Sequence, residues 1–188
     1  MAEQKPASGR PGLTFGGLLL DETKQNDRLP ASIRSLIVDG IDADEIPGVF
    51  GDFGRSPTNP IPVNGPSGEI TYLSLLRTRS GTPLLFHRIG STEGLVGMVD
   101  MFELRPLDGS QDTSIFMSMY HPRRSRKAPE GFTLATELDP SNIHYGVTHL
   151  VEDFPARLDM HIREMQMAFI GLPLPVRRVR KLLYGIYL

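Results

Sequence analysis

Three side chains capable of acid–base chemistry fall on successive strand-like segments in the middle of the sequence. His87, Asp100 and His121 lie in the segments 83–89, 96–104 and 113–121, which are apolar runs bounded by short turns. Pairing these segments about the centres of their turns places all three side chains on one largely apolar face. A carboxylate in such a place needs a partner, because an unpaired buried charge is costly. A histidine and an aspartate held together could act as general acid and base, so one hypothesis is a catalytic cluster.

The basic segment that follows the last of these strands is a second candidate site. Tyr120 precedes its cations and offers a stacking surface. Arginines held in a loop suit bidentate recognition of phosphate or carboxylate. The other interpretation is internal pairing with the acidic segment 39–52, which has five acids and no base. The sequence leaves both open. The cations are Arg123, Arg124, Arg126 and Lys127.

Several other kinds of chemistry have little or no support in the sequence. The chain contains no cysteine, which excludes disulfides, thiolate nucleophiles and cysteine-ligated zinc. Glycine-rich phosphate loops and a GxSxG nucleophile motif are absent from the sequence. Histidines and acids cluster at 144–153 and 161–164 without matching a known ligand spacing, so packing or capping is the favoured role. We expect no metal and no cofactor.

The length and composition predict one ordinary domain. The chain has 188 residues, of which 39% are hydrophobic, and a formal net charge of −2. Residues 1–12 are polar and lack periodicity, which predicts a disordered tail before a single domain at 13–188. No apolar run is long enough to span a bilayer, and the N-terminus lacks the apolar core of a secretion signal. We therefore expect a cytoplasmic protein that does not contact membranes.

The spacing of apolar and turn-forming residues predicts an α+β fold. Its centre is a four- to five-stranded antiparallel meander whose main strands are 69–78, 83–89, 96–104 and 113–121, joined by short turns. An N-terminal helix and two C-terminal helices accompany it, together with a long proline- and glycine-rich loop that wraps along an edge. The remaining segments are a short strand at 13–20, a helix at 30–39, the loop at 48–68, and helices at 155–170 and 175–184.

Both faces of the predicted sheet are apolar, so the second face needs a cover. The candidates are the loop 48–68, the C-terminal helices, or another copy of the chain meeting it near Phe86 and Phe116. The last of these would make the protein a homodimer.

Two functions of different classes follow from these residues. The leading hypothesis is a non-catalytic binding or adaptor module that recognises a small anion or an acidic protein partner through Arg123, Arg124, Arg126 and Lys127, with Tyr120 beside them. Nucleic acid is a less favoured ligand. The alternative is a small hydrolase or transferase that uses His87, Asp100 and His121, while the arginines hold a phosphate or carboxylate substrate.

Overall fold

The computed structural model describes residues 15–137 and 145–170, which form a mixed α+β structure with a central sheet. The predicted tail at 1–12 and the predicted helix at 175–184 lie outside these residues. Among the described helices, none has the length and apolar character needed to cross a membrane. The elements are α1 (Phe15–Leu19), α2 (Glu22–Asp27), α3 (Ala31–Val38), β1 (Ile61–Pro62), α4 (Gly65–Leu75), β2 (Leu76–Thr78), β3 (Leu84–Gly94), β4 (Gly97–Pro106), β5 (Thr113–Ser118), β6 (Phe132–Leu134) and α5 (Leu158–Ile170).

The central sheet has four strands in the order β1-β5-β4-β3. The predicted meander is confirmed for β3, β4 and β5, which pair antiparallel in sequence order. The fourth strand is wrong in the prediction, because β1 pairs parallel with β5 and makes the sheet mixed. Pro62 has no N–H to donate, which suits its place in a short edge strand. A separate two-stranded sheet pairs β2 with β6.

The segment predicted as the first strand, 69–78, is mostly helix. Helix α4 covers it up to Leu75, and only Leu76–Thr78 form a strand. Nearly every residue of α4 is buried, so its apolar residues show no one-sided helical period. Without that period, the run resembles a strand in the sequence. Pro66, in the first turn, is the signal that favours a helix.

Three further segments, 13–20, 30–39 and 155–170, contain helices in the structure. The predicted strand at 13–20 is instead helix α1, whose last carbonyls, those of Leu18 and Leu19, accept hydrogen bonds from the buried amide of Gln25. This tertiary contact satisfies helix-end carbonyls and overrides the local signal of two glycines. The segments predicted as helices at 30–39 and 155–170 contain α3 and α5, and α5 begins three residues later than predicted.

One extra residue in β3 decides which side chains share a face. At the hairpin tip Ser91 pairs with Asp100, whereas nearer the open end Phe86 pairs with Leu104 and His87 with Glu103. The register therefore shifts between Arg88 and Gly90. Because side chains alternate along a strand, an inserted residue moves everything before it to the opposite face.

Both faces of the sheet are covered by this chain. Helix α4 packs over the face that carries Phe86 and Phe102, both of which are fully buried. Leu85, on the other face, packs with Val147, Val151 and residues of α5. Phe86 therefore cannot form the proposed dimer contact, although the homodimer itself stays a prediction.

Two connecting segments are fixed closely to this core. Gly146 approaches the edge of β3 so tightly that an added Cβ would lie 2.0 Å from the Phe86 carbonyl oxygen. The predicted wrapping loop at 48–68 is pinned by buried Phe53 and continues into β1 and the first turn of α4. Phe50 in the same loop is exposed.

Candidate functional site

The histidine and aspartate side chains of the predicted catalytic cluster do not come together. His87 shares a face with Glu103, opposite to the face of Asp100, because of the extra residue in β3. Its Nε2 lies 3.0 Å from Glu103 Oε2, and its Nδ1 accepts a hydrogen bond from the Val151 backbone N–H. The ring also stacks on Phe154, with centroids 4.1 Å apart. These contacts fasten the segment before α5 to the sheet.

His121 has a separate, buried set of partners. Its Nδ1 lies 2.9 Å from the Ile41 carbonyl oxygen, and its Nε2 lies 3.1 Å from Ser118 Oγ. A carbonyl can only accept, so Nδ1 carries the proton and Nε2 accepts from the Ser118 hydroxyl. Burial lowers the pKa of His121 and favours this neutral form. His121 thus joins the end of β5 to the segment after α3.

Asp100 is buried as predicted, but its partners are an arginine, a serine and a second acid. Arg88 donates to Asp100 Oδ1 from Nε at 2.9 Å and from Nη2 at 2.7 Å, and Ser91 Oγ donates at 2.8 Å. Glu69 of α4 lies beneath them, is 1% exposed, and has no hydrogen-bond partner for Oε1. Burial, reinforced by the Asp100 carboxylate, raises the pKa of Glu69 well above its ordinary value. The neutral form of Glu69 is therefore favoured.

Three cations of the basic loop (residues 123–127) are paired with acids from earlier in the chain. Arg123 binds Asp42 and also Asp44, the latter at 2.6 Å. Arg124 Nη1 lies 2.8 Å from Glu22 Oε1, and Lys127 is paired with Glu45. Within the described residues, Arg126 has no side-chain ion pair, but its backbone N–H donates to Asp44 Oδ1 at 2.8 Å.

These contacts shift the ionisation of the acids that make them. The Arg126 backbone N–H, followed by the Arg123 side chain, lowers the pKa of Asp44. The Lys127 ammonium, followed by the Asn59 amide, lowers the pKa of Glu45. The basic loop and the acidic segment therefore stabilise each other's charged forms. A role for Arg123, Arg124, Arg126, Lys127 and Tyr120 in binding a ligand stays a prediction.

An open groove beside the basic loop contains arginines in a different situation. The groove has a volume of about 730 Å³, and Arg55, Arg79 and Lys127 line it together with Asp52 and Glu130. A second hollow of about 630 Å³ shares Arg55 and Arg79 as walls. We call the two hollows together the arginine groove. Its arginines come from the loop before β1 and from the turn after β2.

Arg55 is half-buried, and its side chain contacts two neighbouring residues. Its guanidinium lies over the Phe132 ring, 4.8 Å from the centroid, and donates to the Thr113 hydroxyl. Burial lowers the pKa of Arg55, the direction expected when a cation loses water without gaining a counter-charge. Among the described residues no carboxylate forms an ion pair with it. A desolvated guanidinium with no counter-charge is suited to an incoming anion.

The Phe132 ring beneath Arg55 is positioned by a tight turn. Residues 129–132 form this turn, in which the Phe132 N–H donates to the Pro129 carbonyl oxygen and Gly131 adopts a φ of +85°. Such a φ suits glycine because it has no Cβ. The turn leads directly into β6, so the two-stranded sheet fixes one wall of the arginine groove.

The remaining charges of the groove differ in how they are satisfied. Lys127 is paired with Glu45 and lies 4.7 Å from the centroid of the Phe53 ring. Arg79 is exposed, and no side-chain ion pair joins it to any residue of the described chain. Asp52 and Glu130 are exposed as well, and neither forms an ion pair with a cation that the structure describes.

Sequence reasoning missed both Arg55 and Arg79, because each is a single arginine in a turn-rich segment and no local pattern marks it. Glu69 did carry a signal. It is one acid at the start of the otherwise uncharged run 69–76, where a buried carboxyl could be suspected.

The described histidines and acids near α5 contact one another in pairs. His161 lies 3.7 Å from Asp153 and 3.8 Å from Glu164, and its ring meets that of His149 edge-on. Across the residues that the structure describes, no group of three or more histidines and acids is arranged to hold a metal ion. His144 lies outside the described residues.

We therefore take the arginine groove as the candidate functional site among the described residues. Its features are an anchored arginine, a second exposed arginine and a concave surface open to solvent. Comparisons of the chain with protein-family models, with curated proteins and with solved structures find no significant match.

Proposed function

We propose that this protein is a non-catalytic binding module that recognises an anionic group in the arginine groove. The observation that carries the proposal is Arg55, a half-buried guanidinium without a carboxylate partner in the described structure. Arg79 lines the same groove and adds a second cation. Two cations facing one concave surface repel each other, and a bound anion relieves that repulsion.

The anchoring of Arg55 supports an affinity greater than that of an ordinary surface arginine. Stacking on Phe132 and the bond to Thr113 fix the side chain before any ligand arrives. A mobile arginine loses side-chain entropy on binding, whereas a fixed one has already lost it on folding. Carboxylate and phosphate both match the planar fork of a guanidinium.

Apart from Lys127, the basic loop lies outside the site in this proposal. Its cations Arg123 and Arg124 are paired with Asp42, Asp44 and Glu22, so a ligand would have to displace those carboxylates. Lys127 belongs to both regions, because it ends the basic loop and lines the groove. Its pairing with Glu45 leaves Arg55 and Arg79 as the main anion contacts.

The hydrolase or transferase alternative has no assembled site behind it. His87, Asp100 and His121 have three unconnected sets of partners, and two of them are fixed by contacts with backbone groups. We therefore do not assign them a catalytic role.

An NMR titration with inorganic phosphate and with acetate tests the proposal. In the wild-type protein, we expect saturable shifts at Arg55, Arg79 and Gly131 that weaken as sodium chloride is added. Arg55→Gln combined with Arg79→Gln should abolish them. Arg126→Gln is the matched control, since it removes an exposed arginine outside the groove, and it should leave binding unchanged.

Absence of saturable shifts in the wild-type protein with either anion would overturn the proposal. Equal loss of binding in the Arg126→Gln control would do the same, because it would show that binding follows net charge and not the groove. Arg55→Lys sharpens the result. This variant keeps the charge and removes the fork, so we expect weaker binding of phosphate and carboxylate than in the wild type.

A further inference from the structure

The arginine groove holds uncompensated charges of both signs. Asp52 and Glu130 line it together with Arg55 and Arg79, yet within the described structure no ion pair joins any of these four side chains. Nearby surface charges behave differently, since Lys127 pairs with Glu45, and Arg105 lies 2.7 Å from Asp112. The groove therefore presents both cationic and anionic groups to a ligand.

The two hollows share their arginines but not their carboxylates. Arg55 and Arg79 line both hollows and so lie at their junction. Asp52 and Glu130 line only the first hollow, whereas Asp108 and Asp112 line only the second. The arginines are thus flanked by carboxylates on either side.

The carboxylates of the second hollow are already engaged, which limits what they can do. Asp112 is paired with Arg105, and Asp108 accepts hydrogen bonds from Thr82 and Ser110. They still contribute negative potential and spare oxygen lone pairs, since each carboxylate can accept several bonds. The stronger attraction for a cation is in the first hollow, at Asp52 and Glu130.

From this order we propose that the ligand is a peptide segment in which an acidic side chain is flanked by basic ones. This inference rests on the proposed anion site and adds the class of its ligand. The acidic side chain would bind between Arg55 and Arg79, and a neighbouring basic side chain would reach Asp52 and Glu130. An open groove without a closed pocket suits an extended segment.

The same order disfavours nucleic acid and other polyanions. A chain of regularly spaced negative groups would bring its central charge to the arginines and its neighbours to the flanking carboxylates. Like charges brought close together repel. Lys127 also lines the first hollow, but its charge is already paired with Glu45. A polyanion would therefore be attracted at the arginines and repelled by the carboxylates beside them, whereas a segment of alternating sign is attracted at each position.

Three short peptides test this inference: acetyl-Lys-Glu-Lys-amide, acetyl-Ala-Glu-Ala-amide and acetyl-Glu-Glu-Glu-amide. We expect the first to bind at least threefold more tightly than the second, and the third to bind no more tightly than the second, in NMR titrations at low salt. Asp52→Asn combined with Glu130→Gln should remove the advantage of the lysine peptide while leaving the alanine peptide unaffected. Asp39→Asn combined with Glu93→Gln makes the same change in charge at exposed positions outside the groove, and should preserve the advantage.

The outcomes separate this inference from the anion site on which it rests. If none of the peptides and neither small anion binds, both proposals fail. If the alanine and lysine peptides bind equally, the anion site stands and the ligand class is wrong. Tightest binding by the glutamate peptide, or by a single-stranded oligonucleotide, would make the groove a polyanion site and would likewise overturn the inference.

Discussion

The basic loop and the arginine groove contain the same kind of side chain in opposite electrostatic situations. In the loop, Arg123 and Arg124 are bound to acids from earlier in the chain. In the groove, Arg55 and Arg79 lack carboxylate partners among the described residues, although four exposed acids line the same surface. A dense run of cations therefore serves internal pairing here, and two isolated arginines are left accessible.

The charged residues of the basic loop connect it to the acidic segment 39–52. Asp44 binds the Arg123 side chain and the Arg126 backbone N–H, and its own carbonyl accepts from Ser125 Oγ. These bonds fix one irregular segment against another, where no regular backbone ladder exists. Such hydrogen bonds hold two loops together, as backbone hydrogen bonds hold two strands together in a sheet.

Arg88 is an intermediate case, because it has a carboxylate partner and a second acid beneath it. Asp100 satisfies the guanidinium, while Glu69 is buried below with a raised pKa. The described arginines thus fall into three situations: Arg55 has no carboxylate partner, Arg123 is paired with carboxylates, and Arg88 lies beside two acids, one of them buried. Each situation has its own dependence on mutation and pH.

The largest effect is expected for Glu69→Gln, measured by chemical denaturation between pH 5 and pH 8. A raised pKa means that the folded state holds the proton more tightly than the unfolded state, whose ordinary value is 4.5. The stabilisation that comes from protonated Glu69 is therefore fully present below pH 4.5. Between that pH and the folded pKa, the free energy of unfolding falls by about 1.4 kcal/mol per pH unit. Glutamine cannot ionise, so the variant should gain stability relative to wild type as pH rises.

The exposed acid Glu93 provides the control for this measurement. Glu93→Gln removes a glutamate from the same strand as Arg88 without touching the buried pair. A difference between wild type and Glu69→Gln that stays constant across the pH range would contradict the assignment of a neutral buried glutamate.

The next largest effect is expected at Asp44 in the basic loop. Asp44→Ala removes the acceptor for Arg123 and for the Arg126 N–H. The side chain is 45% exposed, so after solvent screening we expect a loss of about 1 to 2 kcal/mol. Thermal unfolding should show a melting temperature lower by about 2 to 8 °C. Asp39→Asn, at an exposed site, should leave it unchanged, and equal melting temperatures for the two variants would contradict the pairing.

A smaller effect is expected in acid. Hydrogen bonds lower the pKa values of Asp44 and Glu45 below 3.8 and 4.5 respectively. For a lowered pKa, the stabilisation is present above the unfolded value and is lost as pH falls through the folded value. The stability difference between wild type and Asp44→Asn should therefore shrink from pH 5 to pH 2. A difference that is independent of pH would indicate that Asp44 is not paired.

The smallest effects are expected for Arg79→Gln and Arg126→Gln. Both side chains are exposed, and the structure gives neither a side-chain ion pair within the described residues. Each variant should keep its free energy of unfolding within about 0.5 kcal/mol of wild type. The two should differ in phosphate binding, which only Arg79→Gln weakens. A marked loss of stability in Arg79→Gln would show that this arginine is structural, like those of the basic loop.

The parts of the fold that could be predicted are those in which apolar residues recur with the period of a strand or of one helix face. Alternation and short turns identified the β3–β5 meander, and the spacing of Leu158, Ile162 and Met165 identified α5, where all three are buried. Helix α4 was missed because it is buried on nearly every side, which removes the period that a sequence can show. Strand β1 was missed because its partner is remote and its pairing parallel.

The candidate site could be predicted less well, for two physical reasons. Extending the register of the hairpin tip places His87 on the face of Asp100, and the one extra residue near Ile89 reverses that placement without leaving a mark in the sequence. Pairing between Arg123 and Asp44 was one of two readings of a charge pattern, and only tertiary structure brings those segments into contact. Accessibility of a charge is a property of the fold, not of its local sequence.

The parallel strand β1 also has a consequence for the order of folding. The hairpins that form β3, β4 and β5 close over short turns, whereas β1 joins Ile61 to Met117, 56 positions along the chain. Closing a longer loop costs more entropy before any contact compensates, so we expect the meander to form first and β1 to add to its open edge afterwards. Weakening the β3–β4 turn should then slow refolding, whereas weakening β1 should chiefly speed unfolding. The loop that carries Arg55 leads into β1, so we expect it to become ordered late in folding and to unfold early.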